Sequence, residues 1–327
     1  RRGRSAARRA VVPLRPPLAP RTEALLTRTS KHGALRDRVE LGAYLLLRAL
    51  FRTLPLSLAD ALGRGLGRLY RFVDRRRRRL VARNLALAFP EKPAAEREAI
   101  SREVFAHFGA IAADLVRLAA APVEERLARV EVEGLEHARA AAASGRGVFF
   151  ATPHLGNWEW ANLVTGANGM PVTIVARPLD NPLLDVRLTA LRERTGGHVV
   201  NKKDAARTIL RSLRAGAVVG ILGDQRARPP DALLTPFFGR LAWTTTAIAR
   251  LADRTGALIL PVVCLRVGPG RYRLTYSEPI DPAALPPEER EASRLTARVT
   301  ALIESQVRAA PGQWLWLHDR WKGAPEN

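Results

Sequence analysis

The chain has few of the groups from which staples and metal sites are made. Its 327 residues include one cysteine, so no internal disulfide can form. Cys264 lies within the apolar run LILPVVCLRV, which reads as a buried strand thiol rather than a nucleophile, and a lone cysteine suits a reducing compartment. No cluster of His, Cys and carboxylates has metal-ligand spacing. There is no GxSxG, which argues against a serine-hydrolase elbow, and no Walker A or HExxH motif. Aromatic residues make up only 6% of the chain, and with no helix-turn-helix or zinc spacing a nucleic-acid partner is not expected. A long apolar run is missing too. The best candidate, Val39 to Pro55, is uncharged only from Leu41 to Leu47 before Arg48 and Arg52 interrupt it; that is too short for a membrane span. No apolar core follows the basic start, so no cleavable signal peptide is expected. Acidic residues are scarce: 31 against 53 Lys plus Arg, a formal net charge of +22. Such a field draws anionic partners, whether nucleic acid, an acidic membrane surface or an acidic protein.

Hydrophobic residues, at 47%, suffice for a sizeable core. Residues 1–35, rich in Arg, Ala and Pro, read as a flexible basic tail. Residues 36–327 read as a single domain, with a helical part over 38–120 and an α/β part over 123–327. The segment Val39 to Pro55 suits a helix lying on a membrane with its arginines reaching for phosphates, or an amphipathic helix packed on the domain. Gly63, Gly65 and Gly67 miss the dinucleotide fingerprint and point to close helix packing or close approach to lipid. Arg75 to Arg79 are five arginines in a row, either a solvated face or a phosphate-contacting patch. A helical pattern runs from Pro93 to Ala120. After Pro122 short apolar runs (Arg129 to Val132, Gly147 to Ala151, Val172 to Ala176, Ala217 to Leu222, Ala257 to Leu265) alternate with helices near 135–144, 157–167, 181–195, 203–215 and 244–255. This alternation predicts an α/β fold with a mostly parallel central sheet flanked by helices, and Arg271 to Tyr276 as an antiparallel edge strand.

The most informative residues follow the second run, in FFATPHLGNWE. His154 stands at a strand end, and a histidine there is suited to act as a general base. Glu159, five residues on, could orient the imidazole. On one regular helix five residues would turn the two side chains about 140° apart, so they can meet only if His154 precedes the helix. Arg177, in VARPLDNPLLD, also ends an apolar run. Loops at the carboxyl ends of parallel strands converge, so Arg177 could face the same cleft and clamp a phosphate or carboxylate. Asp224 and Gln225 follow a third run; Asp224 could order the cleft, and Gln225 could bind a hydroxyl or an acyl carbonyl. Asn157 and Gln225 are candidate oxyanion donors. The loop TPFFG, Thr235 to Gly239, reads either as a wall for an acyl chain or as cover for the core.

HLGNWE matches the H-x4-D/E signature of glycerolipid acyltransferases. Together with ARPLDNPLLD, GDQ followed by TPFFG, RRRRRLVARNLALAFPE and the C-terminal PGQWLWLHDRWK, it resembles the late acyltransferases of lipid A biosynthesis, over about residues 38–323. The resemblance implies an O-acyltransferase of αβα architecture with N-terminal membrane-associated helices, working at the cytoplasmic face of the inner membrane. It implies His154 as base with Glu159 as its partner, Arg177 and Asp224 in the site, and no cofactor. The donor would be acyl carrier protein or acyl-CoA, and the acceptor an anionic glycolipid. Another acceptor, such as a phosphatidylinositol mannoside or a lysophospholipid, stays open, as does a non-catalytic basic protein that binds membrane or nucleic acid.

Overall fold

The computed structural model describes residues 33–118, 121–201 and 205–325. The expected tail lies outside them except for residues 33–35, and Ala34 already opens a helix. The elements are, in chain order, α1 (Ala34–Thr53), α2 (Leu56–Val73), α3 (Arg75–Ala88), α4 (Ala94–Leu118), α5 (Val123–Leu127), β1 (Val130–Glu133), α6 (Leu135–Ala143), β2 (Val148–Thr152), α7 (Trp158–Ala167), β3 (Val172–Ala176), α8 (Pro182–Glu193), β4 (His198–Asn201), α9 (Ala205–Arg214), β5 (Val218–Leu222), β6 (Ala232–Phe237), β7 (Arg240–Thr245), α10 (Ala247–Thr255), β8 (Leu258–Gly268), β9 (Arg271–Tyr276), α11 (Pro287–Arg290) and α12 (Ala292–Ala309).

Seven strands form one sheet in the order β1-β9-β8-β2-β5-β3-β4. The five from β8 to β4 are parallel, and β9 turns antiparallel against β8. Both faces are covered, so the inner strands are apolar on both sides. In β2, Phe149 and Ala151 join one core with α3, α9, α10 and α12, while Val148 and Phe150 join the opposite core with α6 and α7. The period of two along a strand divides its side chains between two hydrophobic layers.

The parallel core matches expectation, with two differences. β9 is antiparallel but is not the edge, because β1 pairs outside it; a four-residue strand separated from its neighbour by some 140 residues carries no local pairing signal. β1 itself falls on the expected run Arg129 to Val132, whereas β4, equally short, was not anticipated. TPFFG closes the β6–β7 hairpin. Phe238 (φ 53°) and Gly239 (φ 70°) are its two turn residues, both left-handed as a type I′ turn requires. Phe237 and Phe238 are buried against Phe89, Trp314, Trp316 and Trp321. The Phe238 N–H donates to Glu304 Oε2 at 2.5 Å. These aromatics therefore cover the core and offer no wall to an acyl chain.

The N-terminal helices stack on this body, and the glycines explain how. A Cβ on Gly67 would meet the Phe105 carbonyl oxygen at 2.0 Å, and one on Gly109 the Gly63 oxygen at 2.1 Å. Gly65 faces open space. Two of the three glycines thus serve helix contact between α2 and α4. Gly67→Ala is expected to destabilise the fold by about 1–3 kcal/mol, the usual cost of overpacking, whereas Gly65→Ala should be neutral or slightly stabilising through helix propensity. Denaturant midpoints check this; equal effects at the two positions would remove the close crossing.

Candidate active site

The parallel register brings the loops after β2, β3 and β5 to one edge of the sheet. The loop after β2 is pinned on both sides. Gly156 adopts φ 63°, and a Cβ there would meet the Cys264 carbonyl oxygen at 2.0 Å, so only glycine lets the loop lie against β8. Asn157 N then donates to Cys264 O at 2.7 Å. On the other side the C-terminal segment runs antiparallel to the loop: Leu315 N donates to His154 O at 3.0 Å, and Gly156 N to Gln313 O at 3.1 Å.

His154 is thereby fixed at the mouth of the sheet, its side chain 15% exposed. Its Nδ1 lies 2.7 Å from Asp224 Oδ1. Asp224 Oδ2 accepts from the His154 N–H at 2.8 Å and from Trp314 Nε1 at 2.7 Å. Complete burial would push the Asp224 carboxyl up, but the adjacent imidazole and these hydrogen bonds outweigh it and hold the group below the usual carboxylate range. An ionised carboxylate only accepts, so Nδ1 carries its proton to Asp224, and Nε2 in the neutral ring is left with a lone pair. Gln225 Nε2 lies 3.3 Å from that atom. The Trp158 ring packs edge-on against the imidazole, centroids 5.0 Å apart, and touches Phe108 of α4.

The expected His154–Glu159 pair does not form. Glu159, in the first turn of α7, receives both Arg192 Nε (2.9 Å) and Nη2 (2.5 Å). Burial opposes the Arg192 charge, but the bidentate carboxylate more than compensates and its pKa is raised. His154 does precede α7, which begins at Trp158, yet the two still part: Glu159 leaves on the face covered by α8, where Arg192 takes it, while the imidazole turns to Asp224. Asn157 is also not an open donor. It is 2% exposed, and its Oδ1 caps α7 by accepting from Trp160 N at 3.3 Å. Arg177 sits at the right edge of the sheet, but its side chain is 72% exposed and paired with Asp180 at 3.3 Å. Within the same motif Asn181 does structural work. It caps α8 through Leu183 N at 2.9 Å and donates to Asp37 O and Glu40 Oε2 of α1.

Three participants escaped the sequence reading. Trp314 and His318, whose Nε2 accepts from Arg226 N at 3.0 Å, lie in the tryptophan-rich C-terminal segment, whose only signal is its place among the family-like motifs. Arg192 is one arginine among many. A fourth, His107 of α4, lies beneath the loop. It is 2% exposed; burial and then the Arg266 charge depress its pKa to about 3, against the opposing pull of a hydrogen bond to the Gly156 backbone. The unfolded chain takes up a proton near the ordinary 6.5 that the folded chain refuses. Its share of stability is therefore full above 6.5 and declines as pH falls from there towards 3. Wild type should lose more stability between pH 7 and pH 5 than His107→Phe does; identical pH slopes would contradict the assignment.

No helix among the described residues is long and apolar enough to cross a membrane, and no group of His, Cys and carboxylates among them could hold a metal ion.

Comparison with known proteins identifies the family. The family model for bacterial lipid A biosynthesis acyltransferases matches residues 34–323. The chain is 33% identical to the lipid A biosynthesis lauroyltransferase of Escherichia coli (strain K12), over 84% of this chain and 88% of that one. It is 30% identical to the lipid A biosynthesis myristoyltransferase of the same organism, over 77% and 78%. The crystal structure of the 1-acyl-sn-glycerophosphate (LPA) acyltransferase from Thermotoga maritima superposes with a TM-score of 0.38 and 15% identity, over 80% of this chain and 100% of that chain. The chain belongs to the bacterial lipid A biosynthesis acyltransferase family.

Proposed function

We propose that this acyltransferase moves a fatty acyl group from an acyl thioester, carried by acyl carrier protein or CoA, to a hydroxyl of a lipid A precursor, with His154 as general base. The observation that supports the reading best is the Asp224–His154 hydrogen bond, which leaves Nε2 as the free base at a sheet edge. Nε2 takes the acceptor hydroxyl proton as that oxygen attacks the thioester carbonyl. The C–O bond forms, and the carbonyl oxygen becomes an oxyanion. Collapse breaks the C–S bond, and the imidazolium returns its proton to the departing sulfur, giving an ester and a thiol. Asp224 supports the transient imidazolium. The Gln225 amide, already beside Nε2, is the donor best placed for the oxyanion or the incoming hydroxyl. Arg177, exposed at the same edge beside Asp180, is assigned to an anionic group of the acceptor. Glu159 acts indirectly, through Arg192, to seat α7 against α8.

Membrane contact is assigned to the N-terminal helices. Among the described residues, the large apolar side chains left exposed are six on α1, six on α2 and three elsewhere. The five arginines opening α3 sit next to this apolar face. That combination suits a peripheral attachment to an anionic bilayer, with α1 lying on the surface.

Mass spectrometry of host lipids with and without the protein tests the function: a glycolipid heavier by one acyl chain is expected. Acylation confined to a lysophospholipid would move the acceptor, and no acylated product at all would end the reading. With a net charge of +22 set against anionic donor, acceptor and membrane, activity should fall steeply as salt rises and the screening length drops below about 10 Å. A flat salt response would contradict the electrostatic part.

A further inference from the structure

The motif RRRRRLVARNLALAFPE holds a buried amide that the chemistry above leaves without a role. Asn84 of α3 is 0% exposed. Its Nδ2 donates to the carbonyls of Trp316 at 2.9 Å and His318 at 2.8 Å. Arg77, two helical turns earlier on the same face, donates to the intervening Leu317 carbonyl at 2.8 Å, and Arg83 pairs with Asp319. Residues 316–319 are neither helix nor strand. Their carbonyls have no ladder to join and must find donors elsewhere, and α3 supplies them.

The stretch that runs into this segment, Gln313 to His318, touches the site in four places. It presents the Trp314 indole to Asp224 Oδ2, the Leu315 N–H to the His154 carbonyl, the Gln313 carbonyl to Gly156 N and the His318 ring to Arg226 N. Asp224 and His154 are thus each held by a segment that is itself held by α3. The choice of side chain bears this out. Asn84 Oδ1 is buried with no partner, a cost of about 1–3 kcal/mol that an apolar residue of similar size would not carry. What asparagine alone offers at that length is two N–H groups on one uncharged nitrogen, one for each carbonyl.

We propose that Asn84 is a positioning residue of the acyl-transfer site: it clamps the 316–318 backbone, so that Trp314 and Leu315 hold Asp224 and His154 in register. The inference rests on the reading of His154 as base. In Asn84→Ala, kcat should fall tenfold or more while KM stays within about twofold. Combined with Trp314→Phe, the losses should not multiply, because both variants release the same contact. A readout independent of turnover is the low-field proton resonance of the imidazole N–H donated to Asp224, assigned by its disappearance in His154→Ala. Asn84→Ala should shift or broaden it. If Asn84→Ala does not fold by circular dichroism, Asn84→Ser, which keeps one donor, is judged by the same criteria. A kcat within twofold of wild type, an unmoved resonance or multiplying losses would each overturn the clamp, even if thermal stability dropped. Normal turnover in His154→Ala would instead bring down the underlying reading, leaving the clamp to stand or fall on the resonance.

Discussion

His154→Ala is expected to lose acyl transfer by about 10²–10⁴-fold, the range that general-base catalysis supplies. The reasoning is local. Nε2 is the lone-pair nitrogen of a ring whose other nitrogen is bonded to Asp224 at 2.7 Å. Apart from Asp224, which is occupied by Nδ1, the His154 backbone N–H and Trp314, the described neighbours of that ring offer no free base. Gln225 offers an amide, Trp158 a ring edge, and His318 already accepts from Arg226 N. The loss should fall on kcat rather than KM, because the proton moves only as the carbonyl is attacked. The backbone of the loop is held by Cys264, Gln313 and Leu315 through main-chain bonds, so the variant should fold. Steady-state acyl transfer on protein with an unchanged circular dichroism spectrum decides the matter, and near-normal turnover would remove His154 as the base.

Asp224→Asn should cost about as much, on the order of 10³–10⁴-fold, for a different reason. Two donors, the His154 N–H and the Trp314 indole, point at Oδ2. An asparagine in this place must put its carbonyl oxygen there, which turns its NH2 towards His154 Nδ1. The ring is then forced to accept at Nδ1 and carry its proton on Nε2, where it cannot act as a base. The shape of the site is kept and the tautomer is wrong. Glu159→Gln should behave otherwise. It takes away the carboxylate that pairs with the buried Arg192 guanidinium, leaving only the more distant charge of Asp185, and removing one partner of a buried pair typically costs about 3–5 kcal/mol of stability. Its signature is a lower denaturation midpoint, with turnover falling only as the fold loosens. The two variants separate the two acids. An active Asp224→Asn beside a stable but inactive Glu159→Gln would return the orienting role to Glu159.

Much of the scaffold was legible because it rests on local pattern. Each apolar run from residue 147 onwards became a strand of the parallel core, since the buried sides of β2 and β8 need unbroken apolar residues, and the helices between them start and stop at Asn and Gly signals such as Asn157, Asn181 and Gly256. His154 and the Asp224-Gln225 pair could be picked out as polar residues directly after buried strands. The pairing among them could not. Glu159 is five residues from His154 and Asp224 is seventy; nearness in sequence favoured the wrong acid. For the aromatics of TPFFG, acyl-chain wall and core cover could not be told apart, because the hairpin that buries them depends on Trp314, Trp316 and Trp321, far along the chain.

By itself the sequence determined the layered α/β architecture, the strand ends where polar groups gather, the cationic character of the surface and the family to which the chain belongs. All of these follow from periodicity, composition or contiguous motifs. Only the tertiary structure decided which carboxylate faces the imidazole, that Glu159 belongs to Arg192, and that the C-terminal tryptophan segment and Asn84 brace the site. The reason is that a hydrogen bond of 2.7 Å depends on how strands β2 and β5 lie side by side and how α7 rotates against α8. Those are properties of packing between distant segments, which no local spacing encodes.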